Sequence, residues 1–391
     1  MTPKSDIEAV HLHSLDALRG CAALSVVFWH WQHFFYRGTY LVDFDLGRQP
    51  WFSLLYPFYT AGGYAVNLFF SISGFVFFLL YRERIRSRNT SFGKFWILRF
   101  SRLYPLHALT LVGVSIGQWL FHKTNGTYFV YSYNDPYHFA LQSLMASDWG
   151  LERGWSFNGP VWSVSVEVLC YGIFFLICYV GFCKWWHAVI LVFMGYLLQK
   201  VGIVQVGRGI FCFFVGGLAL EIFYCLVRMR LSTKSLIVLS SATLLLWILI
   251  PLNYKYDGLS RIYEATVSAL DAERPTLKAM GPLLAKISPL LFDLLLFPAT
   301  IVTLALWDVH RNVRIPVFTF LGKISYSSYL LHFPLQLIFV FFTQIFSINP
   351  DFFYSPVSLL LFFVTLIPLS YFSYQYFELP CQKGIRKIFL R

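Results

Sequence analysis

The chain has 391 residues, of which 57% are hydrophobic and 13% charged, about half the charged share of an ordinary soluble domain. So little polar surface cannot coat so much apolar surface in water, and the composition implies helices solvated by lipid. The formal charge of +12 lies in short runs between apolar stretches, a pattern that suits lipid headgroups and orientation and argues against a nucleic-acid surface.

In chain order, apolar stretches near the ~20 residues a bilayer requires predict about ten spanning helices. They fall at 15–36, 62–81, 97–121, 160–182, 187–204, 207–228, 235–253, 287–307, 324–346 and 355–376. The expectation is an all-α, polytopic membrane bundle, one domain over residues 1–391, with short tails at about 1–14 and 377–391. The first stretch contains Arg19 and closes without a small-x-small site, so it is expected to stay as a span rather than be cleaved as a signal. The seven cysteines sit in or beside apolar spans or in the basic tail, so they read as packing residues and not as a disulfide framework.

Orientation follows from Lys and Arg. With both termini in the cytoplasm, most of the 31 basic residues fall inside. The strongest signal is Arg82, Arg84, Arg86, Arg88, Lys94, Arg99 and Arg102, set against the single acid Glu83. Most of that run is a topology determinant. Arg99 and Arg102 lie beyond it, at the start of the third span. Their i,i+3 spacing puts both guanidinium groups on one helix face at the membrane surface, where they can hold phosphate bidentately.

Ionisable residues at mid-membrane cost ~2.5–3.5 kcal/mol and are candidates for function. They are Arg19, His30, His107, Glu167, Glu221, Asp293 and His332. Arg19 and His30 are eleven residues apart, which on a continuous helix gives one face and a separation of ~16 Å. Asp16, at i−3, can pair with Arg19. Glu167 follows Trp162, Ser163 and Ser165 at ~10 Å depth, with Ser163 on its face. A carboxylate beside His30 would fix its tautomer and raise its basicity. A structural clamp between spans is the plainer alternative. His332 precedes Pro334, which is expected to kink the ninth span and open it toward a cavity.

These segments resemble, in order from Leu15 to Pro380, the acyltransferase-3 family of integral membrane proteins. Leu15-Asp16-Ala17-Leu18-Arg19-Gly20 followed by His30 is similar to its opening signature. Val66 to Phe75 resembles its second-span signature, with Asn67 where many members carry an acid. Arg99-Phe100-Ser101-Arg102 resembles its Arg-x-x-Arg motif, and Trp162 to Glu167 its tryptophan-serine-glutamate stretch. Leu321 to His332, which includes Tyr326, and Tyr376 to Pro380 resemble its closing elements. Residues from about 185 to 320 carry no such motif.

The resemblance implies O-acylation of an extracytoplasmic glycan at a bacterial inner membrane, with acyl-coenzyme A, as acetyl-CoA, for donor and no metal. On that reading Arg99 and Arg102 bind the coenzyme A phosphates. Arg19 guides the pantetheine arm or polarises the thioester. His30 is base or transient acyl carrier, and Glu167 orients it. Asp16, Ser163, Ser165, Tyr326 and His332 line or brace the path. The expected partners are the glycan acceptor, the acyl donor and membrane lipids. The rival expectation is a transporter or flippase for lipid-linked sugar with the same charges along a pathway. The lack of a repeated half and of paired broken segments argues against it.

Overall fold

Helix α1 (His13–Trp29) opens the described part of a computed structural model, which covers residues 12–269, 287, 289–311 and 316–390. Most of the expected tail at 1–14, and Lys4, Arg274, Lys278, Lys286, Arg314 and Arg391 from the orientation count, lie outside the described residues. After α1 the chain tightens into a 3₁₀ turn at His30–Phe35 and a two-stranded hairpin in which Tyr36 faces Leu41.

Helix α2 (Phe52–Ala61) leads through a 3₁₀ turn into α3 (Ala65–Arg86). Helix α4 (Phe92–Asn125) is capped by Ser91, whose hydroxyl accepts from Lys94 N at 3.3 Å, and stops at Gly126 with φ 70°. The short helix α5 (Pro136–Ser143) lies in the following loop, capped by Asp135. Then come α6 (Trp162–Tyr179), α7 (Trp185–Lys200), α8 (Val204–Arg228), α9 (Thr233–Tyr256) and α10 (Gly258–Ala269). A π-turn at Phe292–Leu296 begins α11 (Phe297–Arg311). The chain closes with α12 (Pro316–Lys323), α13 (Ser325–Ile345), α14 (Pro356–Phe372), a second π-turn at Ser373–Glu378, and α15 (Leu379–Phe389).

Among the described residues, seven helical stretches are long and apolar enough to cross a membrane, and the protein is a multi-pass membrane protein. The expected spans at 15–36, 97–121 and 187–204 are helices but are not among the seven. Helix α1 loses its last turns to the 3₁₀ segment and keeps 17 residues. Helix α7 has 16. Helix α4 has 34 residues, but Tyr104, Pro105, His107 and Gln118 dilute the apolar character of its uncharged run. At the C-terminus, residues expected to form a tail continue as α15. Its Arg386 donates to Ser101 Oγ and to the Leu98 carbonyl of α4.

The contrast between α8 and α9 shows where lipid lies. Both are apolar all round, which suits either core or bilayer. Nearly every α8 side chain from Val206 to Phe214 is buried, whereas α9 buries only Leu236, Thr243 and Ile250, a narrow seam with a seven-residue repeat. Most of the rest of α9, including Leu244, Leu245 and Ile248, is exposed, and residues such as Leu239 and Leu246 are half-buried. Central α8 packs on α3 so closely that a Cβ at Gly74 would lie 1.8 Å from the Phe213 carbonyl, and one at Gly216 1.9 Å from that of Ser71. Helices α1 and α12 meet the same way: a Cβ at Gly322 would lie 2.3 Å from the Asp16 carbonyl. Small residues at such crossings replace the hydrophobic driving force that lipid does not supply.

Pro334 sits inside α13, which remains assigned as one helix. Having no N–H, it cannot serve the Leu330 carbonyl four residues back. The amide of Asn158, from the loop before α6, donates to that carbonyl at 3.0 Å instead.

Candidate active site

The bundle holds two cavities, and Val66 of α3 lines both. The first has a volume of about 430 Å³ and is lined by residues of α1, α3, α4, α6 and α13. It gathers Asp16, Arg19, Arg99, Arg102, Glu167 and Tyr326, with Ser163 close by. The second, about 890 Å³, holds His30 at its wall.

In the first cavity the sequence expectations about Arg hold geometrically. Arg99 and Arg102 share a face of α4 and line one space. Among the described residues neither is in an ion pair, so their charge is available to an anion. Arg99 donates to the Tyr81 hydroxyl at 2.5 Å and lies over the Phe77 and Tyr81 rings, while its Nε is buried without a partner. Arg19 reaches Asp16 at 3.5 Å, the predicted i,i+3 pair. Tyr326 donates to the Leu103 carbonyl at 2.6 Å and ties α13 to α4.

Glu167 takes a different partner from the one expected. It accepts from Ser73 Oγ at 2.5 Å and faces the Arg-lined cavity, not His30. The reason is local. The α-helix of α1 ends at Trp29, so the continuous face assumed for Arg19 and His30 is broken, and His30 opens onto the second cavity. On α6, Trp162 lines the second cavity, whereas Ser163 and Glu167 turn to the first. Ser165 is fully buried and lines neither; its hydroxyl accepts from Asp148 N at 3.3 Å, and its carbonyl accepts from the Trp149 indole at 2.9 Å.

The partner of His30 is His332. His332 Nδ1 lies 2.5 Å from the Tyr329 carbonyl, which can only accept, so Nδ1 carries the proton. In the neutral ring Nε2 is then an acceptor, and it lies 2.9 Å from His30 Nδ1. His30 Nδ1 therefore donates, and its Nε2 keeps a lone pair in a residue that lines the second cavity. Tyr329 is fixed in turn: its hydroxyl donates to the Pro160 carbonyl at 2.5 Å and accepts from Ser163 Oγ at 2.7 Å.

The sequence reading did not find His33 and Gln336. Gln336 Nε2 donates to the His30 carbonyl at 2.9 Å, which turns its Oε1 toward His33 Nδ1 at 3.0 Å. The His33 ring lies against that of His30 with centroids 4.7 Å apart, while His332 is nearly coplanar with His30, centroids 5.0 Å apart, and meets it edge to edge through the hydrogen bond. The spacing His30-x-x-His33 is in the sequence, but only the 3₁₀ turn brings the rings face to face.

The other intramembrane charges also have partners. His107 meets the Gln142 carbonyl at 2.7 Å. Glu221 pairs with Arg82. Asp293 accepts from Asn67, so an acid stands on the facing helix where the Asn67 side chain ends. Among the described residues no group of His, Cys, Asp and Glu is disposed to hold a metal.

Comparison with known proteins identifies the family. An acyltransferase-domain profile, that of the acyltransferase-3 family, matches residues 12–374. The chain is 34% identical over 166 residues to "Acyltransferase MdmB" of Streptomyces mycarofaciens, covering 41% of this chain and 38% of that protein. It is 38% identical over 97 residues to "Protein 2 in picA locus" of Rhizobium radiobacter, covering 25% of this chain and 40% of that protein. The matched region thus spans about two fifths of each relative's length. No solved structure matches. With nearly the whole chain covered by the domain, the protein belongs to the acyltransferase-3 family of membrane proteins.

Proposed function

We propose that the protein transfers an acetyl group from cytoplasmic acetyl-coenzyme A to a hydroxyl of an extracytoplasmic carbohydrate, at a bacterial inner membrane with both termini in the cytoplasm. The observation that carries this reading is a pair of cavities that share Val66 in their walls, one lined by Arg99 and Arg102, neither of them in an ion pair among the described residues, and the other by a histidine with a free lone pair.

Arg99 and Arg102 hold the phosphates of the donor by charge-assisted bidentate hydrogen bonds. Arg19, kept in place by Asp16 and deeper along α1, guides the pantetheine arm and polarises the thioester carbonyl. Glu167 and Ser73 form a polar rail on the opposite wall. The arm passes Val66 to reach His30.

His30 Nε2 takes the proton of the acceptor hydroxyl as its oxygen attacks the carbonyl carbon. The C–S bond breaks, and the proton returns from the imidazolium to the coenzyme A sulfur. His332 holds the ring in the tautomer this requires, and its own Nδ1 is fixed by the Tyr329 carbonyl. The same lone pair can instead carry the acyl group transiently.

The test is acyl transfer from labelled acetyl-CoA by the protein in detergent, where no transport can occur, together with mass analysis of surface glycans from cells with and without it. A protein that binds sugar but never releases coenzyme A thiol would overturn the reading.

A further inference from the structure

We infer that Arg208, Asn67 and Asp293 form a clamp in the second cavity that recognises a neutral, polyhydroxylated sugar ring. This rests on the acyltransfer reading and deepens it by naming the class of acceptor. The clamp draws two of its three members from the stretch between 185 and 320, where the sequence shows no motif.

The three side chains come from α8, α3 and the π-turn before α11, and all line the cavity that contains His30. Arg208 Nε donates to Asn67 Oδ1, and its terminal nitrogen donates to the Gly63 carbonyl at 2.8 Å. This fixes the Asn67 amide, whose nitrogen donates to both oxygens of Asp293, at 2.8 and 2.9 Å. One cation and one anion are thus joined through an amide, with no net charge. Of the roughly four lone-pair sites on Asp293, two are spent on Asn67 and one on the Cys212 thiol, which leaves one to offer, and Arg208 keeps further N–H donors. Donors and acceptors side by side match neighbouring hydroxyls, each of which both gives and takes a hydrogen bond.

The surroundings fit the same ligand. Arg208 lies over the Trp162 ring at 5.5 Å, and Trp155, Tyr64 and Tyr254 add flat apolar faces for the C–H side of a pyranose. Gln205 Oε1, at the same wall, is buried without a partner. A cavity of about 890 Å³ lies within the range that encloses a ligand of drug size. An acceptor carrying a full charge would have to be desolvated against a clamp that is already neutral, at a cost nothing there offsets.

The experiment titrates purified protein in a sugar-free amphipathic polymer with methyl glucopyranoside, methyl glucuronide and methyl glucosaminide, read by tryptophan fluorescence, without donor. The neutral glycoside should bind best. Asp293→Asn should weaken it by about tenfold or more, the cost of an unmet buried hydrogen bond. Arg208→Gln with Asp293→Asn removes both charges together and should weaken it as much, with unchanged melting. Asn67→Asp with Asp293→Asn exchanges acid and amide across the clamp and should retain binding within a few-fold. Preference for a charged glycoside, absence of binding to any of the three, or wild-type binding by the folded Arg208→Gln, Asp293→Asn protein would each overturn the proposal. Thiol release from acetyl-CoA by the wild type is scored separately, so failure of the acyltransfer reading is told apart from failure of the clamp.

Discussion

The two cavities are built on different principles. The Arg-lined one is made by charged side chains carried on regular helices, at spacings the sequence displays: Asp16 and Arg19, Arg99 and Arg102. The His-lined one is made where helices stop being regular, at the 3₁₀ turn of His30–Phe35, the loop before α6 and the π-turn holding Asp293. Its polar groups are neutral or paired, and aromatic rings dominate its wall. A charged ligand needs charges, which regular helices present well. A ligand recognised by shape and hydroxyl pattern needs atoms placed from several segments, which irregular backbone supplies.

If that division is right, damage to each cavity should be separable. The largest effect should come from His30→Ala, a drop of ~10²–10⁴-fold in transfer rate with donor affinity retained. Transfer and donor binding measured on one membrane preparation decide it, and wild-type transfer would remove His30 from the chemistry. Next is the double variant Arg99→Ala, Arg102→Ala, which should weaken donor binding by roughly 10–100-fold, as expected for lost charge-assisted bonds. Lysines at both positions should restore only part of it, because an ammonium lacks the fork. Calorimetric titration with coenzyme A would show this; loss of acceptor affinity instead would erase the distinction between the cavities.

A smaller effect, about tenfold or somewhat more, is expected from His332→Phe, which leaves His30 Nδ1 without its acceptor. It should lower the transfer rate while donor and acceptor affinities stay near wild type. Smallest is Ser165→Ala, which lines neither cavity. It should leave transfer within a few-fold of wild type and lower thermal stability by about 1 kcal/mol, the worth of one hydrogen bond. A large loss of transfer there would mean that the Asp148 backbone it holds helps to position the site.

The helices were legible in the sequence because lipid enforces apolar stretches of fixed length, and the Arg pairs were legible because i,i+3 neighbours depend on nothing but the helix. The partner of Glu167 was not. Its depth could be counted from Trp162, but which neighbour it faces depends on how α6 is turned about its axis, and that is set by packing against α3. The end of α1 at Trp29 was hidden for a related reason, since Trp31, Phe34 and Phe35 keep the segment aromatic enough to read as a continued span despite His30, Gln32 and His33. Arg208 and Asp293 meet Asn67 across 141 and 226 residues, a contact that no local spacing reports.

Val66 is 5% exposed and is the residue common to both cavities. On the proposed orientation those spaces open toward opposite sides of the membrane, so this side chain stands where an aqueous leak would form. Each elementary charge that crosses carries ~2.3 kcal/mol per 100 mV, and a cell cannot leave such a path open between turnovers. The residue is therefore bounded in size from two directions. It must be bulky enough to hold back ions and protons when no donor is present, and slender enough for a thioester to slide past. A β-branched valine, stiff about its first torsion, meets both demands. On the proposed reading the protein would work as an airlock whose door is plugged by its own donor.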